Sequence, residues 1–445
     1  MIAAFDSFAG KYAGTVKLSS DGKSDQMRDM LKKITVHQLR EGMYIHELCS
    51  SWLHTPFWKT SFLLEDGATL AKIIDANITE AWIDLERGLD VAPAQLPADP
   101  VQSEPAQLQP AQPDRAVEFN DIGRVSVEEE LGRAAIIVDK SKQAVAAMFH
   151  EARMGLAIEA ETALTLVEEI AASVMRNPCA LISLVRLKTI DDYTYMHSVA
   201  VCALMIALAR QLKLDDHATR QAGLAGLLHD IGKMTIPVAI LNKQGKLTDA
   251  EFAIIKHHPV DGHRILLAGH GIGPIALDVC LHHHEKMDGS GYPEQLQGEG
   301  ISLHARMGAV CDVYDAITSN RPYKHGWGPT DSLRRMTSWS KGHFDETVLR
   351  AFVRSIGIYP VGTLVRLASG KLGVVLEQQP GKSLLMPKVR VFFSTNTRSH
   401  IAPEVLDLAG PGLQDSIVSH EDAATWQLTN IERYWMGDAA RPSTF

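Results

Sequence analysis

The order of apolar and polar positions divides the chain into stretches of different period. From Lys32 to about Asp90, apolar residues come in short alternating or continuous runs, KITVHQL, GMYIHEL, SFLL, KIIDA and AWIDL, separated by glycine and polar breaks. This pattern predicts a small, strand-rich N-terminal domain over residues 32–90. Residues 1–31 end in the polar run SSDGKSDQMRDM and carry too little apolar surface to offset the entropy of ordering, so a disordered N-terminus is expected there. Residues 91–120 hold prolines at 93, 97, 100, 105, 110 and 113. Such a stretch sustains neither helix nor sheet and reads as a semi-rigid linker.

Beyond the linker the period becomes helical. Val201, Leu204, Met205, Leu208 and Leu212 fall on one helical face, and Leu224, Leu227, Leu228 and Ile231 on another. Thr248 and Glu251 have the spacing of a capping box opening the helix EFAIIKHH, which Pro259 is expected to close. Residues 121–357 therefore read as one all-α helical bundle, the largest part of a multidomain chain. After Tyr359 the strand pattern returns. TLVRLASGKLGVVLEQ predicts a hairpin turned at Ser369-Gly370, and KVRVFFS a further strand. Residues 358–445 are thus a β-rich C-terminal extension, expected to fold back on the rest.

Composition narrows the function classes. The 445 residues carry 44 Lys+Arg against 53 Asp+Glu, a formal charge of −9, which argues against binding of nucleic acid polymers. Five cysteines lie far apart with no C-x-x-C pair, so thiolate metal sites and a disulfide framework are not expected, and a reducing compartment fits. The longest apolar run, Val199–Ala209, is shorter than the ~20 residues of a membrane span. No signal-peptide core opens the chain, and a cytoplasmic location is expected. The 19 histidines are the unusual feature.

Their positions carry the chemistry. His197 in TYMHSV, His229-Asp230 in LLHDIGK, His258 in KHHP, His283-His284 in HHHEKMDGSGYP and Asp312 in CDVYDAITS arrive singly or in pairs from separate helical segments. A bundle builds an interior metal site in this way. Imidazole with carboxylate suits Fe, Mn, Ni or Zn rather than thiolate-loving metals or calcium. An adjacent His-Asp can divide its work, the imidazole holding one ion and the carboxylate bridging to a second. Two cations within ~4 Å can share a water that loses its proton near neutral pH. Lys233, about one turn on, can place an ammonium beside an anionic substrate; the alternative is a charge complementing a helix C-terminus.

The strings and their order resemble the HD-GYP phosphodiesterases. The resemblance rests on His229-Asp230 with Ile231-Gly232-Lys233, then His258-Pro259, then His283-His284-Glu285 through Gly291-Tyr292-Pro293, then Asp312, and last Arg321-Pro322-Tyr323-Lys324. It covers roughly residues 176–357. It implies hydrolysis of cyclic di-GMP to linear pGpG, possible continuation to GMP, and two divalent ions, iron or manganese in preference to nickel or zinc. It implies that His197, His229, Asp230, His258, His283, His284 and Asp312 bind metal. By the same resemblance Lys233 lies near the reacting phosphate, Gly291 and Tyr292 shape the pocket, and Arg321 and Lys324 contact substrate. Asp315 is placed in the same site, where it can orient Lys233 or a ligand histidine. Residues 32–90 also resemble the small N-terminal domain of unassigned function that often precedes this unit.

One position departs from the pattern. Family members with three metals carry glutamate four residues before the first histidine; here that residue is Tyr193, which favours two metals. His257 and His282 flank expected ligands without matching one. Two other functions remain open from sequence, an HD-type phosphohydrolase acting on another nucleotide and a non-catalytic nucleotide sensor. Protein partners are expected through the N-terminal domain or the GYP loop. Trp52, Phe57 and Trp58 could form a binding face there or serve as core aromatics.

Overall fold

The computed structural model describes residues 31–48, 62–64, 69–70, 73, 80–85, 87–90, 119, 122–187, 193–243, 245–319, 326–379 and 381–436. Residues 1–30 of the expected disordered N-terminus, nearly all of the Pro-rich linker, and Trp52, Phe57 and Trp58 lie outside the described residues; Leu31, the last residue of that expected disordered stretch, instead begins a strand. Two compact units emerge, Met1–Pro113 and Asp114–Phe445.

The first unit is a four-stranded antiparallel sheet of β1 (Leu31–Thr35), β2 (Tyr44–Leu48), β3 (Phe62–Leu63) and β4 (Glu80–Asp84), in the order β1-β4-β2-β3. In β1 and β2 alternation puts one side inside, whereas β4 is buried on both faces through Ala81, Trp82 and Ile83; Ile34, Ile45, Ala81 and Ile83 are buried with Val36, Leu39, Met43, Leu64 and Ile73. A strand-rich N-terminal region is therefore present, as the short apolar runs predict.

The second unit begins with α1 (Val127–Arg153), α2 (Ala160–Arg176) and α3 (Pro178–Val185). Ser126 and Glu129 form a reciprocal capping box at the start of α1. Glu130 is fully buried and pins α1 to α2 through Arg176 at 2.7 Å and Ser173 at 2.8 Å. Next come α4 (Tyr193–Gln211), α5 (Asp216–Leu228), a 3-10 turn (Ile231–Thr235), α6 (Val238–Leu241), α7 (Asp249–Ile255) and α8 (His258–Leu267). The bundle closes with α9 (Pro274–His282), α10 (Leu303–Thr318), α11 (Pro329–Trp339) and α12 (Glu346–Ile356).

Two expectations change in detail. The face expected on α4 is in fact a buried circumference: every residue from Val199 to Ala209 is inside, because α4 is packed against α1, α2, α3, α5, α10 and α12. Leu212 falls just beyond its end. The Thr248–Glu251 box does open α7, with the Glu251 amide donating to Thr248 Oγ1 at 3.3 Å. Pro259, however, does not close that helix. It occupies the first turn of α8, where its missing N–H has no intrahelical partner to lose.

The C-terminal part of this unit is a five-stranded antiparallel sheet, β5 (Leu364–Leu367), β6 (Lys371–Glu377), β7 (Lys388–Ser394), β8 (Ser399–Asp407) and β9 (Ile417–His420), followed by α13 (Arg433–Met436). Its order is β8-β7-β6-β5-β9. Gly370, at φ +78°, makes the β5–β6 turn that Ser369-Gly370 predicts. The sheet is fastened to the bundle rather than separate from it. Arg186 donates to the Val361 carbonyl at 3.0 Å, Thr330 to the Ile358 carbonyl at 3.2 Å, and His420 Nε2 lies 3.0 Å from Asp331.

Candidate metal centre

Five elements bring their polar side chains to one interior point. α4 carries His197, the end of α5 delivers His229 and Asp230, and α8 begins with His258. His283 and His284 follow α9, and α10 presents Asp312 with Asp315 one turn on. All are buried or nearly so. The approach of α8 depends on Gly232: a Cβ there would lie 2.0 Å from the His258 carbonyl oxygen and 2.5 Å from the Gly262 amide nitrogen.

Asp230 stands at the centre, its two carboxylate oxygens facing opposite ways. Oδ2 lies 3.3 Å from Nε2 of both His197 and His229. Oδ1 lies 3.3 Å from His258 Nε2 and 3.8 Å from His283 Nε2. Asp312 spans the same gap, with Oδ1 3.0 Å from His197 Nε2 and Oδ2 3.9 Å from His284 Nδ1. Three overlapping groups, His258/His283/His284, His197/His229/Asp312 and His229/Asp230/His283, hold their donor atoms within 4.8 Å of one another.

The backbone sets which nitrogen points inward. His229 Nδ1 donates to the Gly226 carbonyl at 2.8 Å, His258 Nδ1 to Ile255 at 2.7 Å, and His283 Nδ1 to Val279 at 3.0 Å. A carbonyl can only accept, so each ring must be protonated at Nδ1, leaving Nε2 as the lone pair facing the cluster. For His197 the outer partner is a carboxylate, Asp315 Oδ2, at 2.6 Å. Asp315 is thus placed behind His197, the orienting position, and not in an open substrate cleft.

The electrostatics suit a cation. Burial works against a charge on His197, but its hydrogen bonds to Asp230, Asp312 and Asp315 outweigh that and hold its pKa near 10. Burial and the neighbouring imidazoles keep His283 well below the ordinary range, and burial is the first cause that lowers His284 to about 3. Those two rings are neutral at physiological pH, as ligation requires. Burial opposes ionisation of Asp230 and Asp312 as well, yet Lys233 and His229 around the first, and His197 and His284 around the second, leave both ionised. His229 Nε2 and Asp230 Oδ1 are buried with no hydrogen-bond partner. Each such atom costs about 1–3 kcal/mol if left unsatisfied, a cost that coordination to a cation removes. The donor set therefore fits divalent metal.

Lys233 belongs to the 3-10 turn after Asp230 and donates to Asp230 Oδ2, with little of its side chain exposed. It does not stand at the end of α5. The loop after α9 closes one side of the cluster: the Tyr292 ring stacks on His284 at 4.7 Å with 26° between planes, and the Tyr292–Pro293 bond is cis. A Cβ on Gly291 would meet Glu285 Cα and the Lys286 nitrogen at 2.5 Å, so only glycine fits.

Residues 168–348 match the HD domain family, and residues 31–163 match a domain of unknown function, DUF3391. A curated cyclic di-GMP phosphodiesterase of Pseudomonas aeruginosa is 54% identical over 420 residues, covering 94% of this chain and 98% of that protein. This chain belongs to the HD-GYP family. Within the family, a cyclic di-GMP phosphodiesterase of Vibrio cholerae is 46% identical over 132 residues, 28% of this chain and 27% of its own. A 3′3′-cGAMP-specific phosphodiesterase of the same organism is 36% identical over 166 residues, 37% of this chain and 38% of its own.

In this HD-GYP chain, Arg321 and Lys324, named from the resemblance as substrate cations, lie outside the described residues, as does the side chain of Tyr193. His257 is exposed and hydrogen-bonded to Asp261 at 3.2 Å. His282 bridges Asp278 at 2.8 Å and Glu294 at 3.3 Å. Both point to carboxylates rather than into the cluster. Sequence reading gave no role to Glu285, which is 2% exposed inside the loop. An acid placed directly after two candidate ligands, at the foot of a glycine-rich turn, was the available signal.

Proposed function

We propose that this chain is a metal-dependent phosphodiesterase that opens cyclic di-GMP to linear pGpG, using two divalent cations held by His197, His229, Asp230, His258, His283, His284 and Asp312. One observation carries the reading: the two oxygens of Asp230 face two different sets of imidazoles, so that this carboxylate would serve two ions if both were bound. The near full-length likeness to the Pseudomonas enzyme supports the substrate. When bound, paired cations neutralise a phosphodiester and acidify a water.

The chain's own groups supply the rest. Asp230 and Asp312 set the spacing of the two half-sites. Asp315 holds His197 by Nδ1, so that Nε2, protonated in the metal-free chain, is the nitrogen turned toward a cation and gives up its proton when one binds. Lys233 holds its ammonium at the bridging carboxylate, where it can stabilise charge developing on a phosphoryl oxygen. Tyr292 and His284 close one side against water. Arg321 and Lys324 add cationic contacts to the rest of the dinucleotide. Iron or manganese fits the imidazole–carboxylate set, and nickel or zinc are the other candidates. The four described cysteines are free thiols, which suits the reducing cytoplasm as its location.

The Vibrio relative named for 3′3′-cGAMP makes another cyclic dinucleotide the second reading. A panel of cyclic di-GMP, 3′3′-cGAMP and cyclic di-AMP, assayed on anaerobically purified protein, separates the two. Preferred cleavage of cyclic di-GMP to pGpG is expected, and a preference for either other substrate would replace the assignment.

A further inference from the structure

We infer that Glu285 is a positioning residue of this site, one that holds Tyr292 flat against His284 through the backbone of the loop between them. The inference rests on the metal-centre reading above and concerns what keeps that centre's open side in place.

Glu285 immediately follows the His283-His284 pair and is buried, yet among the described residues no cation pairs with it. Its Oε1 instead accepts the backbone amides of Glu294 at 2.7 Å and Gln295 at 2.9 Å. Oε2 is buried without a hydrogen-bond partner. A carboxylate in such a place is costly unless its hydrogen bonds secure something. What it secures is a segment with no regular structure of its own. Gln295 adopts φ +58°, a left-handed conformation that costs a non-glycine residue about 1–2 kcal/mol and needs fixing from outside.

The same segment is fastened at its other limb. Gly291 lies on the Glu285–Lys286 backbone, too close for any side chain. The Tyr292 amide donates to the His284 carbonyl at 3.3 Å. Between these two anchors the Tyr292 ring lies on the face of His284. Glu285 therefore acts at a distance: releasing Glu294 and Gln295 frees Tyr292, and with it the orientation of His284 beside Asp312. The outer contact, His282 to Glu294, is half exposed and makes no such backbone bond.

The test compares full-length Glu285→Ala, Glu285→Gln and Glu294→Ala by hydrogen–deuterium exchange over residues 286–298, metal content, and kcat and KM for cyclic di-GMP. In Glu285→Ala, exchange at the loop amides should accelerate about tenfold or more while both metals are retained, and KM should rise or kcat fall by about 10–100-fold. Glu285→Gln keeps the acceptor and should recover most of both readouts; Glu294→Ala should match the wild type. If Glu285→Ala does not fold, Glu285→Asp, whose carboxylate is withdrawn by one methylene, should show the same loosening. Unchanged loop exchange in Glu285→Ala overturns the inference, as does a Gln variant as impaired as Ala. Loop exchange requires no substrate, so its outcome is independent of whether cyclic di-GMP proves to be the substrate.

Discussion

At the scale of single residues, Asp230 and Lys233 separate two kinds of contribution. Asp230→Ala removes the carboxylate that faces both half-sites. The variant should fold, lose metal and lose turnover together, as read by circular dichroism, elemental analysis and assay. Lys233→Ala should keep its metal while kcat falls by about 10²–10³-fold, the effect of removing one donor aimed at developing charge. Unchanged turnover there would return the lysine to a structural role. Titration gives a third prediction, with opposing signs. His197, held near 10, stabilises the metal-free fold fully below the ordinary imidazole pKa of about 6.5 and loses that contribution as pH rises toward 10. His284 and His343, held near 3 and 4 chiefly by burial, do the reverse: the unfolded chain takes up protons below about 6.5 that the folded one refuses. Metal-free protein should therefore have its highest Tm near neutral to slightly acid pH and decline on either side. A Tm that climbs steadily from pH 5 to pH 9 would contradict this. Metal binding at pH 8 should also release a proton from His197, detectable by calorimetry in buffers of different ionisation enthalpy.

At the scale of elements, the approach of α8 to the 3-10 turn is the tightest constraint on the site. Gly232→Ala puts a methyl into the His258 carbonyl, and should destabilise the fold by about 1–3 kcal/mol with loss of metal from the His258 side. Denaturant titration alongside metal analysis checks it; a fully stable, metal-replete variant would mean the turn can yield. The legibility of the chain differs between elements for physical reasons. The buried cluster of histidines and aspartates was readable because these residues at these spacings have few other uses inside a helical bundle, and because the HHHEKMDGSGYP string is a poor core and a strange surface. The burial of α4 on all sides was legible too, in the unbroken apolar run Val199–Ala209 rather than in the single face of Val201, Leu204, Met205 and Leu208, because a helix apolar all round is a buried one. Pro259 is ambiguous in sequence because proline both follows helices and begins them, and only the presence of α8 decides between the two. The role of Glu285 is harder to read, because its partners are backbone amides nine and ten residues on and only its place after His283-His284 marks it.

At the scale of the whole molecule, the centre is built entirely within residues 114–445, and the C-terminal sheet is joined to the bundle by hydrogen bonds at Val361, Ile358 and His420. Residues 114–445 alone should fold, bind metal and turn over substrate. Ending the chain at residue 357 should lower Tm, because it strips the cover from Arg186 and α11. Equal Tm for both truncations would show that the sheet is dispensable. The central claim is that two cations act together across Asp230, and titration of the metal-free chain with Mn²⁺ tests it most directly. Cyclic di-GMP cleavage should remain near background through the first equivalent, rise with the second and level off at two. A rate that is complete at one equivalent, or that survives excess chelator, would contradict the account.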